Sequence, residues 1–215
     1  MILAHLTSPG VDNLPRDILV IIPVASIEQH SIHLPVFTDT AILTEVIRRI
    51  EKRLPNDILT LPVMWLGYSQ HHMKYPGTLS ATSDTHLKIM YETLASMIDH
   101  GFKRFLLINS HGGNEPNISV LRQHVMEQHA DINLYTTTPY AGPSDKKMNA
   151  LREDGLRRRQ NIPGTRIYKR FDQNTNHGGL GDPRPSTPKM GEQLFQIAED
   201  FLVGVITQIK NSAPK

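Results

Sequence analysis

Between residues 18 and 25 the chain reads Ile-Leu-Val-Ile-Ile-Pro-Val-Ala, an uncharged run of strand length that is rich in β-branched residues. Apolar character on every position over so few residues predicts a strand buried on both faces. A polar loop follows over residues 26–38. Thr38 or Asp39 can then cap a helix on which Ile42, Leu43, Val46, Ile47 and Ile50 recur at helical spacing to about residue 53. The alternation repeats. Residues 58–64 read as a second strand, and Asp84 can cap a helix carrying Leu87, Met90, Leu94, Met97 and Ile98, with Gly101 placed to end it. Residues 105–108 form a third strand, residues 116–129 a helix with Pro116 in its first turn, and residues 132–136 a fourth strand.

Strands alternating with helices predict right-handed crossovers, a mainly parallel sheet and helices on both of its faces. In such α/β folds a site belongs at the carboxyl ends of the strands. The pattern stops between residues 137 and 185, where Gly, Pro, Asn and charged residues dominate. A stretch that long without an element is either functional or incomplete. Order returns at Thr187-Pro188, a capping residue followed by a proline suited to a first turn. The long helix they start carries Met190, Leu194, Ile197, Phe201, Val205 and Ile209 on one face. No internal repeat is visible, and 215 residues suit one domain.

Composition narrows the chemistry. With no cysteine, thiolate ligands and disulfides are excluded, so any metal must be held by nitrogen and oxygen donors. A net charge of +2 argues against a nucleic-acid partner, and the run Arg157-Arg158-Arg159 reads as a solvated loop or an interface contact rather than a phosphate site. No apolar run is long enough to span a bilayer, and residues 1–10 lack the pattern of a secretory leader. No membrane association and a cytoplasmic location are therefore expected.

The loop after the first strand holds Glu28, His30 and Asp39, which can converge on one cation if the loop is irregular. Such donors suit zinc, manganese or iron(II). Asp39 serves equally well, on spacing alone, as a helix cap. His33 is expected to pack or bond locally. The third strand ends in Asn109-Ser110-His111-Gly112-Gly113-Asn114, with His111 at its carboxyl end. Gly112, Gly113 and Asn114 are candidates to contact substrate, since glycines let the backbone approach a ligand and turn amides can hold an anion. No nucleotide-binding glycine motif occurs.

The segment Pro23-Val24-Ala25-Ser26-Ile27-Glu28-Gln29-His30, with Leu34-Pro35 and Asp39, resembles the first signature of the creatininase family. Asn109 to Asn114 resembles the second, and Tyr75-Pro76-Gly77-Thr78-Leu79-Ser80 resembles the family's P-G-T segment. Gly181-Asp182-Pro183 through Thr187 and Gly191 is similar to its closing region. The resemblance covers about residues 18–135 and 178–210, in the family's order. It implies a three-layer α/β/α sandwich, one or two divalent ions per chain, and hydrolysis of a non-peptide C–N bond in a small cyclic or formyl amide. It further implies a homo-oligomer, commonly a hexamer. Carried over residue by residue, Glu28, His30, Asp39 and His111 match metal ligands, with Asp39 as the bridge.

The sequence departs from the family after the fourth strand, where members carry an H-A-x-E-x-E-T-S segment with a catalytic histidine. Here Met148-Asn149-Ala150-Leu151 passes straight into a charged stretch. Because the flanking residues read as intact family sequence, an omitted stretch is expected rather than a loss. If the loss is real, His177 and Glu115 become the candidates for the acid and the extra ligand. His72 can contact substrate, although exposure at the surface is the plainer expectation for both His71 and His72. The rival function is a relative that keeps the metal or ligand site without catalysis.

Overall fold

The structure, a computed structural model, describes residues 1–141, 168–179 and 182–212. Four parallel strands form one sheet in the order β2-β1-β3-β4: β1 is Leu19–Val24, β2 Ile58–Thr60, β3 Arg104–Asn109 and β4 Asn133–Thr137. The central pair is in register from Leu19 opposite Arg104 to Val24 opposite Asn109. A short helix α1 (Ser8–Asp12) precedes the sheet and was not expected from the pattern. The crossover helices are α2 (Thr38–Arg53), α3 (Ser83–Asp99) and α4 (Glu115–Gln128), and α5 (Pro188–Asn211) closes the described chain.

Because successive strand residues face opposite ways, the apolar run of β1 serves two cores. Val20, Ile22 and Val24 pack with Met90 and Leu94 of α3 and with Ile118, Leu121 and Val125 of α4. Leu19 and Ile21 pack on the other face with Leu43, Val46 and Ile50 of α2 and with Leu202 and Ile206 of α5. Helices thus cover both faces, as the alternation predicts. On the outside, Arg49 pairs with Glu192 at 2.6 Å and Arg53 with Asp200 at 2.5 Å, which ties α2 to α5.

The second strand is shorter than residues 58–64. Pro62 has no N–H for the ladder, so regular pairing stops at Thr60, yet Leu61 N still donates to Ile21 O and Met64 N to Pro23 O. Those bonds put Pro23 on the side of β1 where β2 has ended, which is why a proline is tolerated in a central strand. Two expected caps are also corrected. Asp39 does not cap α2, whose N-cap is Phe37 with no side-chain bond. Thr82 rather than Asp84 caps α3, its hydroxyl accepting from Thr85 N at 3.3 Å. Thr187 caps α5 as expected, and Gly101, at φ +90°, follows the end of α3. Among the described residues no helix is long and apolar enough to cross a membrane. The Arg157-Arg158-Arg159 run, the Met148 to Leu151 junction and Gly181 lie outside the described residues.

Candidate metal centre

Two neighbouring strands deliver the site. After β1 the chain doubles back: Glu28 N donates to Val36 O, and His30 makes isolated bridges to Ile32 and Leu34. Gln29 N donates to Thr78 Oγ1, so the segment containing Gly77 and Thr78 buttresses the loop. Gly77 needs its positive φ of 87°, and a Cβ there would press on Val36. This irregular path, not a strand or helix period, brings Glu28, His30 and Asp39 together, with one ligand atom of each within 4.8 Å of the others. Asp39 stands in the first turn of α2, where backbone N–H groups favour a carboxylate. Its backbone carbonyl accepts from Ser110 Oγ, linking the two loops.

His111, two residues beyond β3, joins the cluster. Its Nδ1 lies 2.9 Å from Asp39 Oδ2 and 3.8 Å from Glu28 Oε1. His30 Nε2 lies 3.3 Å from Asp39 Oδ1. The other ring nitrogen of each histidine faces a backbone carbonyl: His30 Nδ1 is 3.1 Å from Glu28 O, and His111 Nε2 is 3.3 Å from Tyr68 O. The His30 Nδ1–H donates to the Glu28 carbonyl, whereas His111 Nε2 also meets Ser69 Oγ at 3.1 Å. That turns His30 Nε2 and His111 Nδ1 on the two oxygens of one carboxylate. A ring nitrogen facing a carboxylate needs a proton or a metal ion between them, and histidines whose outer N–H bonds a carbonyl are the usual form of metal-ligating histidine.

Electrostatics tell the same story for the protein without metal. Burial raises the Glu28 carboxyl to about 7, against the pull of His30 and with the push of Asp39. Its Oε2 is buried with no hydrogen-bond partner. His72 Nδ1 comes within 3.2 Å of it, but that nitrogen already faces a donor, the Gln29 side-chain amide at 2.8 Å. Burial alone lowers His30, but its bond to Asp39 and the charges of Glu28 and Asp39 outweigh that and raise it to about 9. Asp39 is held below the usual carboxylate range, because bonds to His111 and His30 overcome its burial. In the metal-free protein a proton on His30 therefore stands where a cation fits, and a divalent ion would satisfy the orphaned Glu28 oxygen as well. The donor set is nitrogen and oxygen throughout, suited to zinc, manganese or iron(II).

Beside the cluster lies a pocket of about 510 Å³ lined by Glu28, Asp39, His111 and Gly112, by His71 and His72, and by the aromatic side chains of Tyr68, Tyr168 and Phe171. His72 is 3% exposed, so the expectation of a surface histidine is corrected: it packs at 4.1 Å between ring centroids on Phe171. Burial first, then the like charges of His71, His111 and His30, lower it to about 3, so it is neutral. Asn114 is not free to bind substrate. Its Nδ2 donates to Ala25 O and Asn109 Oδ1, and its Oδ1 accepts from Tyr68 N, so it clamps three loops. Gly113 is demanded by packing, since a Cβ would come within 2.4 Å of His111 Nε2 and Tyr68 O. Gly112 alone of that turn combines exposure with a place in the pocket wall.

The two fallback residues are not among the pocket-lining residues. Glu115 is exposed on the first turn of α4, where the helix N-terminus accounts for it, and it reaches only Asn109 Nδ2 at 3.5 Å. His177 is exposed on a turn, its Nδ1 bonded to Ser31 Oγ at 3.1 Å and to Gly179 N. His33 is exposed as well. Tyr68, Tyr168 and Phe171 escaped the sequence reading because no period or motif marks them. The pair His71-His72 was visible, but nothing local revealed the burial of His72.

Residues 4–161 match the family model described as creatininase, creatinine amidohydrolase. A mycofactocin precursor peptide peptidase of Mycobacterium tuberculosis (strain ATCC 25618 / H37Rv) is 33% identical over 103 residues, which cover 44% of this chain and 41% of that protein. A creatinine amidohydrolase of Pseudomonas putida is 27% identical over 103 residues, 46% of this chain and 39% of that one. The matched stretch thus spans about two fifths of the length of these curated relatives. A crystal structure of creatinine amidohydrolase superposes with a TM-score of 0.81 at 18% identity, covering 99% of this chain and 98% of that one. A manganese creatininase does so with a TM-score of 0.77 at 17% identity, covering 98% and 99%. By the match of the family model over most of its length, with the parallel three-layer fold in agreement, this chain belongs to the creatininase family.

Proposed function

We propose that the chain is a metal-dependent amidohydrolase that cleaves the C–N bond of a small cyclic or formyl amide, with Glu28, His30, Asp39 and His111 as the ligands of one or two divalent ions. The observation that carries this reading is the pair of histidine nitrogens turned on the two oxygens of Asp39 beside a buried, unpartnered Glu28 oxygen. A bound divalent ion supplies a water ionisable near neutral pH and polarises an amide carbonyl, so no protein nucleophile is required. The chain's own part is to hold the ligands through carbonyl and hydroxyl contacts, to present Gly112 and the neutral His72 to the substrate, and to limit water with the aromatic wall of Tyr68, Tyr168 and Phe171. The relative named as a peptide peptidase supports a wider class of amide, and a peptide end is a second substrate to try.

A second reading, a metal- or ligand-binding relative without catalysis, is favoured by one observation: neither His177 nor Glu115 lines the pocket. Metal content by inductively coupled plasma mass spectrometry, followed by a screen of small cyclic, formyl and peptide amides, separates the two. Bound zinc, manganese or iron with turnover that His111→Ala abolishes supports the hydrolase. Bound metal without turnover on any amide supports the binding protein, and no metal at all sinks the hydrolase and leaves the binding protein.

A further inference from the structure

Gln29 sits between Glu28 and His30 in sequence and is buried, and every polar atom of its side chain is engaged. Its Oε1 accepts from Ser31 N at 3.0 Å, and its Nε2 donates to Gly178 O at 2.8 Å. A backbone amide only donates and a backbone carbonyl only accepts, so these two bonds settle which end of the carboxamide is oxygen and which is nitrogen. The remaining Nε2 hydrogen meets His72 Nδ1 at 2.8 Å. A donor at that place requires a lone pair on Nδ1, and the neutral imidazole must then carry its proton on Nε2.

The surroundings make this bond hard to rearrange. Ser31 takes a positive φ of 63°, the only non-glycine residue among those described to do so. Gly178 has a φ of +77°, and a Cβ there would lie 1.7 Å from Gln29 Oε1. Glu28 Oε2, at 3.2 Å from the same His72 nitrogen, pulls in the opposite sense, because a carboxylate favours a proton on Nδ1. Without the Gln29 amide, the Glu28 carboxylate would draw the proton to Nδ1 and leave the lone pair on Nε2 of a ring that lines the pocket.

We infer that Gln29 is a positioning residue that holds His72 as an Nε2–H hydrogen-bond donor to the carbonyl oxygen of the bound amide. The inference rests on the proposed function, since it takes the pocket's occupant to be an amide. A carbonyl oxygen accepts and never donates, so the tautomer decides whether His72 attracts the substrate or repels it. A donor already oriented by a neighbour also needs no rearrangement as charge grows on that oxygen.

Two-bond ¹⁵N–¹H correlation spectra of histidine-labelled, zinc-loaded protein test the tautomer, with His72→Gln identifying the signal. The expected result is a protonated Nε2 and a bare Nδ1 in the unaltered protein, reversed in Gln29→Met, which keeps the bulk and loses the donor. A bare Nε2 in the unaltered protein overturns the inference whether or not the variant folds, and so does an unchanged tautomer in folded Gln29→Met. Binding of acetohydroxamate to the zinc-loaded protein tests the donor role. His72→Phe should weaken it about tenfold, roughly 1.4 kcal/mol, and His72→Gln should recover part of the loss. Equal binding by His72→Phe rejects the donor role. Should the protein take up neither zinc, manganese nor iron, the hydrolase reading fails by itself, and the spectra of the metal-free protein still decide the tautomer.

Discussion

The amino-terminal and carboxyl-terminal ends of β1 and β3 are equally buried and chemically opposite. At one end the apolar Leu19, Val20, Phe105 and Leu106 are at most 1% exposed, and the one buried charge beside them, Arg104, donates to the Ile209 and Ser212 carbonyls. At the other, Glu28, Asp39, Asn109, Ser110 and His111 are 4–7% exposed and polar or charged. Burial at the first end is favourable by itself, at about 25 cal/mol per Å² of apolar surface removed from water. At the second it is costly unless each group finds a partner. Most do: Asn109 bonds its own turn, Ser110 the Asp39 backbone, and Asn114 clamps the loops. What remains unmatched, a Glu28 oxygen beside the two histidine nitrogens that face Asp39, marks the place where a cation fits. One sheet thus spends its stability at one end and stores it at the other.

That contrast can be broken at either end. The largest effect is expected from His111→Ala, which should reduce hydrolysis to background and strip metal, read by turnover and mass spectrometry, while leaving the cooperative unfolding transition in place. Unchanged turnover would remove the site assignment. Phe105→Ala, in the apolar end, should do the reverse, costing about 3–5 kcal/mol in urea unfolding while the folded fraction still binds metal. Third is a change of sign. Glu28 is raised to about 7, so folding without metal is penalised as pH rises from its ordinary value of 4.5 through 7. Glu28→Gln should therefore stabilise the chelated protein at pH 8 by roughly 1–3 kcal/mol and destabilise it when metal is present. A stabilisation in both states would mean that Glu28 is no ligand.

A smaller effect comes from His86, fully buried on α3, with Nδ1 3.1 Å from Asn117 Nδ2. Burial first, then the His111 charge, lower it from 6.5 to about 4. The unfolded chain takes up this proton first, so its contribution is intact above 6.5 and is lost as pH falls from 6.5 through 4. His86→Gln should flatten the urea midpoint across that window by about 1–2 kcal/mol at pH 5. Smallest is Arg53→Ala on the exposed seam between α2 and α5, expected to cost under about 1 kcal/mol in the same assay.

Much of this was legible in the chain. The run from residue 18 to 25, the helical spacing from Ile42 to Ile50 and the Thr187-Pro188 start all became the elements they suggest, because local periodicity and burial agree there. The short β2 was misjudged because Pro62 acts on the ladder rather than on hydrophobicity. The misplaced cap at Asp39 has a related cause. A carboxylate in a first turn looks like a cap, and only the approach of His30 and His111 reveals its other employment.

By itself, then, the sequence determined the order and type of the main elements, the parallel sheet, and the chemical kind of the centre, since a chain without cysteine offers metals only nitrogen and oxygen. The tertiary structure alone decided that Gln29 and Gly178, 149 residues apart, share a bond, that His72 is buried, and that His177 and Glu115 stand outside the pocket wall. The physical reason is one of range. Hydrophobic period and turn chemistry act over a few residues, whereas the burial and protonation of a side chain depend on whatever distant segment folds over it.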